Sequence, residues 1–384
     1  MLRGPRLRGM PRGGWRAWAP KIRLRLSAAP LEVTGPVRIA VVGCGRITQA
    51  AHLPALEKAE GVELAALSDT NESVLEAVAR RHGVRAAHTD VSRVWDAPDV
   101  EAVLVAASDR FHFDLATQAL RAGKHVLVEK PLASNLAQAE ALVETVARSG
   151  RKLQVGAMKR HDAGLEFAHR FVRESLGEAR SFNAWYRIGD LRSGIEATLF
   201  PRLHGDPEAA GVEAAFKAHR QSYLLATHGA HLYDTVRHLL GDVEAIDARH
   251  RDDGRDHTWT ALLRTRSGAI GTVTLAADVP GLPAEGIEVF GSEGWLRADI
   301  PFPFRRQAST VQAYAAGEVH VPVLTDGDAY ERQLEAFARA IREDRPPTPD
   351  VVDGLAALAL IDATHASARS GREVPVAGLP PRSA

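Results

Sequence analysis

The stretch that most constrains this chain is VRIAVVGCGRIT, Val37 to Thr48. A run of β-branched and small apolar residues meets Gly43 and Gly45, then passes into residues that suit a helix. Continuous apolar runs of this kind mark buried parallel strands. Glycines at a strand-to-helix turn let the backbone approach a phosphate at the helix N-terminus. The next apolar run, Val62 to Asp69, reads as a second strand closed by an acid. An acid about 20 residues past such a loop is placed to bind a ribose 2′-hydroxyl. Strand, loop, helix, strand and terminal acid together predict a dinucleotide site, although Thr48 stands where a third glycine would complete the fingerprint.

The pattern continues through Val100–Ser108, His125–Lys130 and Lys152–Met158, with helical stretches such as FDLATQALRAG between them. Asn71 is placed to cap the helix NESVLEAVARRH, and Gly83 to end it. Alternation of this kind predicts right-handed βαβ units in a doubly wound parallel sheet. After about residue 178 the pattern changes to longer period-two runs joined by RSGA and GSEG turns. The fold expected is α/β: an N-terminal Rossmann sheet, then an α+β domain with a largely antiparallel open sheet. The expected divisions are 1–36, 37–155 and 156–384. Residues 1–36 are Arg-, Gly- and Pro-rich without an acid, and read as a disordered extension, a start called too early, or a targeting segment. Within the second part, Gly189–Tyr223 is long, irregular and mixed in charge, suiting a lid, a substrate-selecting segment or a plain surface excursion.

Charge balance limits the partners. Lys plus Arg and Asp plus Glu number 48 each, so no overall field draws the chain to nucleic acid or an anionic membrane. The lone Cys44 leaves no intramolecular disulfide or Cys-rich zinc site and fits a cytoplasmic setting. No apolar run of membrane-spanning length is expected. At the nucleotide loop, Asp69 repels a 2′-phosphate and neither Thr70 nor Asn71 offsets it, which favours NAD over NADP. Arg46 lies within reach of a pyrophosphate or a 2′-phosphate, and as a first-turn residue it can equally stay in solvent.

HVLVEKPLA brings a more specific signal. Together with VVGCGRIT, AHLPAL, VGAMKRHD and HGAHLYDTVRHLLG, in that order from about Val37 to Val376, it resembles the glucose–fructose oxidoreductase, inositol dehydrogenase and rhizopine-catabolism (Gfo/Idh/MocA) family. The resemblance implies hydride transfer between a nicotinamide cofactor and a sugar, cyclitol or related polyol. It also implies a homodimer or homotetramer built through the C-terminal sheet. It places Lys130 beside the nicotinamide and the reacting hydroxyl, followed by Pro131. Gly43, Gly45, Arg46, Ile47, Asp69, Ser108, His112, Glu129 and Lys130 become the expected cofactor residues. Arg160, Thr227, His228 and His231 join Lys130 at the substrate. Two other readings stay open: glycoside cleavage by transient oxidation and elimination on the same fold, and a dinucleotide-binding regulator without catalysis.

LATHGAHLYD carries His228, His231 and Asp234 at three-residue intervals. A His-x-x-His pair on one helix supplies at most two of the three protein ligands a catalytic zinc needs, so no metal is expected. The resemblance assigns proton transfer to His231, at the start of a helix, with an acid four residues earlier. That position is Thr227, which can hydrogen-bond but brings no charge. Asp190 is one candidate to replace it. Asp234 reads as a structural salt-bridge group and His238 as packing.

Overall fold

The computed structural model describes residues 35–200, 203–205, 211, 219–254, 256–376 and 378. The expectation for residues 1–36 lies almost wholly outside the described residues, as does the middle of the Gly189–Tyr223 insert.

Six parallel strands form the first sheet: β1 (Val37–Val42), β2 (Val62–Ser68), β3 (Ala87–His88), β4 (Ala102–Val105), β5 (His125–Glu129) and β6 (Leu153–Gly156). Their order, β3-β2-β1-β4-β5-β6, reverses direction between β1 and β4. Such a reversal opens a crevice at the carboxyl ends of those strands, where doubly wound sheets bind ligands. The crossovers use α1 (Leu53–Leu56, after a π turn at Thr48–His52), α2 (Glu72–His82), α3 (Ser92–Trp95), α4 (His112–Arg121) and α5 (Leu136–Ser149). The Asn71 side chain accepts from the Val74 N–H at 2.8 Å, and Gly83 ends α2 at φ +68°, both as their positions predict. β4 and β6 are shorter than the apolar runs that contain them, because the run ends peel away into the loops that build the site.

After α6 (Ala163–Glu174) come β7 (Ala179–Gly189), α7 (Arg192–Leu199) and α8 (Arg220–Leu240). The remaining strands are β8 (Val243–Asp252), β9 (His257–Thr265), β10 (Ile270–Val279), β11 (Ala284–Gly291), β12 (Gly294–Ile300), β13 (Thr310–Ala315) and β14 (Glu318–His320). α9 (Ala329–Arg342), α10 (Val351–Ser370) and β15 (Val374–Pro375) close the chain. The second sheet has nine strands in the order β14-β13-β12-β11-β7-β10-β9-β8-β15. It is antiparallel except where β7 runs parallel to β10. Two hairpin-linked ladders, β8-β9-β10 and β11 to β14, therefore flank a single central strand, β7.

That arrangement decides what β7 carries into the interior. Phe182, Ala184, Tyr186 and Ile188 share its inward face, and Tyr186 lies directly opposite Glu285 of β11. α8 is a helix of 21 residues, so His228 and His231 sit in its middle rather than at its start. One helix is long, apolar and mostly buried. α10 is long and apolar enough by length and composition, but 72% of its apolar window is buried. It packs against α5, α8 and β8, so its apolar surface belongs to the core. One continuous apolar cluster runs from Val103 and Val126 of the first sheet through Leu358 and Leu225 to Leu263 and Leu275 of the second.

Candidate active site

The glycine loop closes the top of β1. Gly43 has φ +96°, and a Cβ there would meet Ala107 N at 2.7 Å. Only glycine fits, because the loop lies against the backbone that leaves β4. Gly45 has nothing within 4 Å of a built Cβ, so its face is open. Thr48, in place of a third glycine, is buried and donates from its hydroxyl to Gly43 O at 2.6 Å. Asp69 stands at the end of β2 and accepts from Cys44 N at 2.6 Å and Asn71 N at 2.8 Å. Cys44 is a packed thiol, pushed up to about 12 by burial and then by the Asp69 charge. The open face at Gly45, with Asp69 at its edge and the strand-order reversal beneath, fits the pyrophosphate and ribose of a dinucleotide. Ile47 is half-buried against the apolar cluster under the loop, and Ser108 is half-buried at the turn that leaves β4.

Three of the expected cofactor residues make contacts within the protein. Arg46 forms an ion pair with Glu196 of α7, on the insert. His112 is buried with Nδ1 at 2.7 Å from Pro131 O and Nε2 at 3.1 Å from Ala107 O. It thus ties the β4 loop to the β5 loop. Glu129 is buried, with one carboxylate oxygen on His52 Nε2 at 2.8 Å and the other on the Lys130 N–H at 3.1 Å. Burial alone would raise the Glu129 carboxyl, but the His52 hydrogen bond and charge, with Lys130 nearby, hold it below the usual range. Gly156 leaves it room, since a Cβ there would sit 3.2 Å from the Glu129 carboxyl carbon. Glu129 therefore fixes the turn from which Lys130 emerges.

Lys130 precedes a cis Pro131 at the end of β5. Its ammonium has no hydrogen-bond partner among the described residues, and it lines a small cavity with Ala230 and Asp234 of α8. His231, one helical step from Ala230, is buried, and its ring makes no hydrogen bond with the described residues. Burial pushes His231 well below the usual histidine range, and Lys159 and Lys130 push it further. His228 is shifted the same way by burial, then by Arg192, Lys130 and Lys159. Both imidazoles are neutral near pH 7, and both stack on Tyr186, at 5.7 Å for His228 and 6.0 Å for His231. The Lys159 ammonium lies 4.5 Å from the same ring centroid and pairs with Glu285. Burial drives Lys159 down and Glu285 up, and the attraction between the two opposes both shifts. A neutral imidazole and an ammonium whose charge acts on it offer a proton acceptor and a cation for a developing alkoxide.

Arg160, expected at the substrate, is buried in an ion-pair network beside the cavity that Lys130 lines. Its guanidinium donates to Asp234 at 2.6 to 3.1 Å and to Asp353 at 3.1 Å, and Arg237 donates to Asp353 at 3.2 Å. This network locks α8 and α10 to the segment after β6, and Asp234 is a salt-bridge group within it. The Thr227 hydroxyl is buried and has no hydrogen-bond partner among the described residues, His231 included. Asp190 does not replace the missing acid there: it is exposed at the end of β7 and accepts from Gly281 N at 3.0 Å. Among the described residues, no group of three His, Cys, Asp or Glu side chains is arranged to hold a metal ion.

The chain matches the description "Oxidoreductase family, NAD-binding Rossmann fold" over residues 37–157, and "Oxidoreductase family, C-terminal alpha/beta domain" over residues 217–376. It belongs to the Gfo/Idh/MocA family. It is similar to inositol 2-dehydrogenase of Rhizobium meliloti (strain 1021), 27% identical over 351 residues, covering 89% of this chain and 99% of the relative. Myo-inositol 2-dehydrogenase of Thermotoga maritima is 27% identical over 352 residues, covering 88% and 98%. Among solved structures, aldose-aldose oxidoreductase from Caulobacter crescentus, complexed with glycerol, matches with a TM-score of 0.72 at 25% identity, covering 88% and 99%.

Sequence reasoning missed five residues of this Gfo/Idh/MocA site: Lys159, Tyr186, Arg192, Glu196 and Glu285. One signal was available. Glu285 falls on the inward face of β11, in step with Ile287 and Val289, where an ionisable residue is out of place without a purpose.

Proposed function

We propose that this Gfo/Idh/MocA chain oxidises or reduces a hydroxyl-bearing carbon of a sugar, cyclitol or related polyol with NAD. The supporting observation is a Lys130 ammonium whose charge acts on the buried, neutral His231, neither group having a hydrogen-bond partner among the described residues. A nicotinamide dinucleotide, when bound, supplies the acceptor or donor of two electrons. Gly43, Gly45 and Asp69 would hold it, with Ile47 and Ser108 alongside. Lys130 stabilises negative charge on the substrate oxygen, and His231 takes or returns the hydroxyl proton. Glu129 and His112 keep the Lys130 turn in place. The preference for NAD is supported by the Asp69 carboxylate, and by Arg46, whose charge is spent on Glu196. Cofactor residues fall in the part 37–155 and proton-transfer residues in the part 156–384. A cytoplasmic setting suits the buried, unpaired Cys44.

A polyol and sugar panel, read at the reduced-nicotinamide absorbance with NAD and NADP in parallel, tests this reading. Lys130→Met is expected to bind NAD as the parent does and to lose turnover by about 100-fold or more. A Lys130→Met protein that keeps full turnover sinks the assignment, and a clear NADP preference sinks the reading of Asp69.

A further inference from the structure

The insert's described residues bring an arginine into the substrate side of the site. β7 ends at Gly189 and α7 starts at Arg192, which lines a cavity with Tyr186, Ile188, Glu285, Ile300 and Phe302. The cavity is small, about 20 Å³, room for one water-sized polar group. Tyr186 forms one wall and is also the ring on which His231 and His228 stack, so the cavity adjoins the proton-transfer residues. Arg192 donates from Nε to Glu196 at 2.6 Å, and its guanidinium lies 5.9 Å from the Phe302 ring centroid. Its two terminal nitrogens make no hydrogen bond with the described residues. Glu196 is itself almost buried, with its second oxygen on Arg46. A carboxylate held by two arginines cannot swing away, so it fixes the direction in which the Arg192 fork points.

The local charges do not balance. Glu196 serves both Arg46 and Arg192, Glu285 serves Lys159, and Lys130 has no partner among the described residues. Arg46 and Arg192 thus share one carboxylate, while the Lys130 charge also acts on the buried Glu129. Thr227 adds no charge, and the resolved charges acting on His228 are all positive. A half-buried guanidinium with two unused, parallel N–H groups matches the geometry of a carboxylate. Neutral hydroxyls would leave the excess charge uncompensated.

We propose that the substrate carries a carboxylate, as a sugar acid or other polyhydroxy acid, and that Arg192 is the specificity-determining residue that receives it. This rests on the polyol-oxidoreductase reading above and names its substrate class. Glu196 is a positioning residue for Arg192, and Arg46 anchors Glu196 from the nucleotide loop.

The test uses the full chain loaded with NAD and matched pairs: D-gluconate against D-glucitol, and D-galacturonate against D-galactose. The acid of each pair is expected to show a kcat/KM at least about 10-fold above its neutral partner. Arg192→Gln is expected to bring that ratio near one by raising KM for the acid, and Arg192→Lys to restore part of it, since a point charge replaces the fork. Thermal melts of each variant separate misfolding from lost recognition. Equal or better use of the neutral partners overturns the inference while leaving the proposed function standing. So does an Arg192→Gln protein that folds and keeps the ratio. If no compound is turned over, the proposed function fails, and calorimetry with D-gluconate decides Arg192 alone. Saturable binding that Arg192→Gln abolishes supports its role, and no binding to the NAD-loaded parent overturns it.

Discussion

At the scale of single residues, the site turns on what surrounds His231. An acid four residues earlier on α8 would share its helix face and favour the imidazolium. Thr227 brings no charge, and the nearby Lys159 and Lys130 push the proton affinity of His231 down instead. The sign of the resulting pH dependence follows. A base with a depressed pKa stays neutral to lower pH, so the acid limb of kcat/KM is expected below the usual histidine value of about 6.5. Thr227→Asp should raise the His231 pKa and move that limb up by about one unit. A pH profile that does not move would show that His231 is not the titrating base. Lys130 was legible because it sits in a local motif. The fate of Arg160 was not, since Asp234 and Asp353 lie 74 and 193 residues away in sequence. Removing either acid would leave the buried Arg160 guanidinium with one carboxylate instead of two, at a cost of about 1 to 3 kcal/mol.

At the scale of elements, the glycine loop separates two uses of the same residue type. Gly43 answers to the protein's own backbone, and Gly45 faces open space. Gly43→Ala is expected to strain the loop against Ala107 and lower the melting temperature together with NAD affinity. Gly45→Ala should leave the melting temperature unchanged and weaken NAD by about 10-fold, because its added methyl meets only the bound ligand. Unchanged NAD affinity in Gly45→Ala would mean that the pyrophosphate lies elsewhere. The insert shows the limit of pattern reading at this scale. Its irregular composition hides α7, whose Glu196 reaches Arg46 across 150 residues of sequence. Gln49 reaches the same insert, exchanging hydrogen bonds with the His204 backbone at 2.8 Å.

At the scale of the whole molecule, the two sheets share one core, with α10 as a common wall. Among the described residues, nothing covers the other face of the second sheet at Leu262, Ile270 and Phe290. Leu262, Ile270 and Phe290 point outward there with about half of their surface exposed (48%, 50% and 47%), which is costly for an isolated chain. We propose that this face joins copies of the chain. Light scattering should give at least twice the 41.4 kDa chain mass, and Leu262→Asp with Phe290→Asp should reduce it to one chain. A monomeric parent protein would refute the assembly.

What the sequence determined by itself was local. Strand and helix periods, the Gly43 turn, the Asn71 and Gly83 ends of α2, and the Lys130 motif depend on neighbours within a turn or a strand. Only the tertiary structure decided which charges meet. β7 lies between two ladders, so Tyr186 faces Glu285 from about 100 residues away. α10 threads between the sheets, so Asp353 can take both Arg160 and Arg237. Periodicity tells which face of an element turns inward. It carries no information on which other element waits there, and buried charges gain or lose their meaning from that partner.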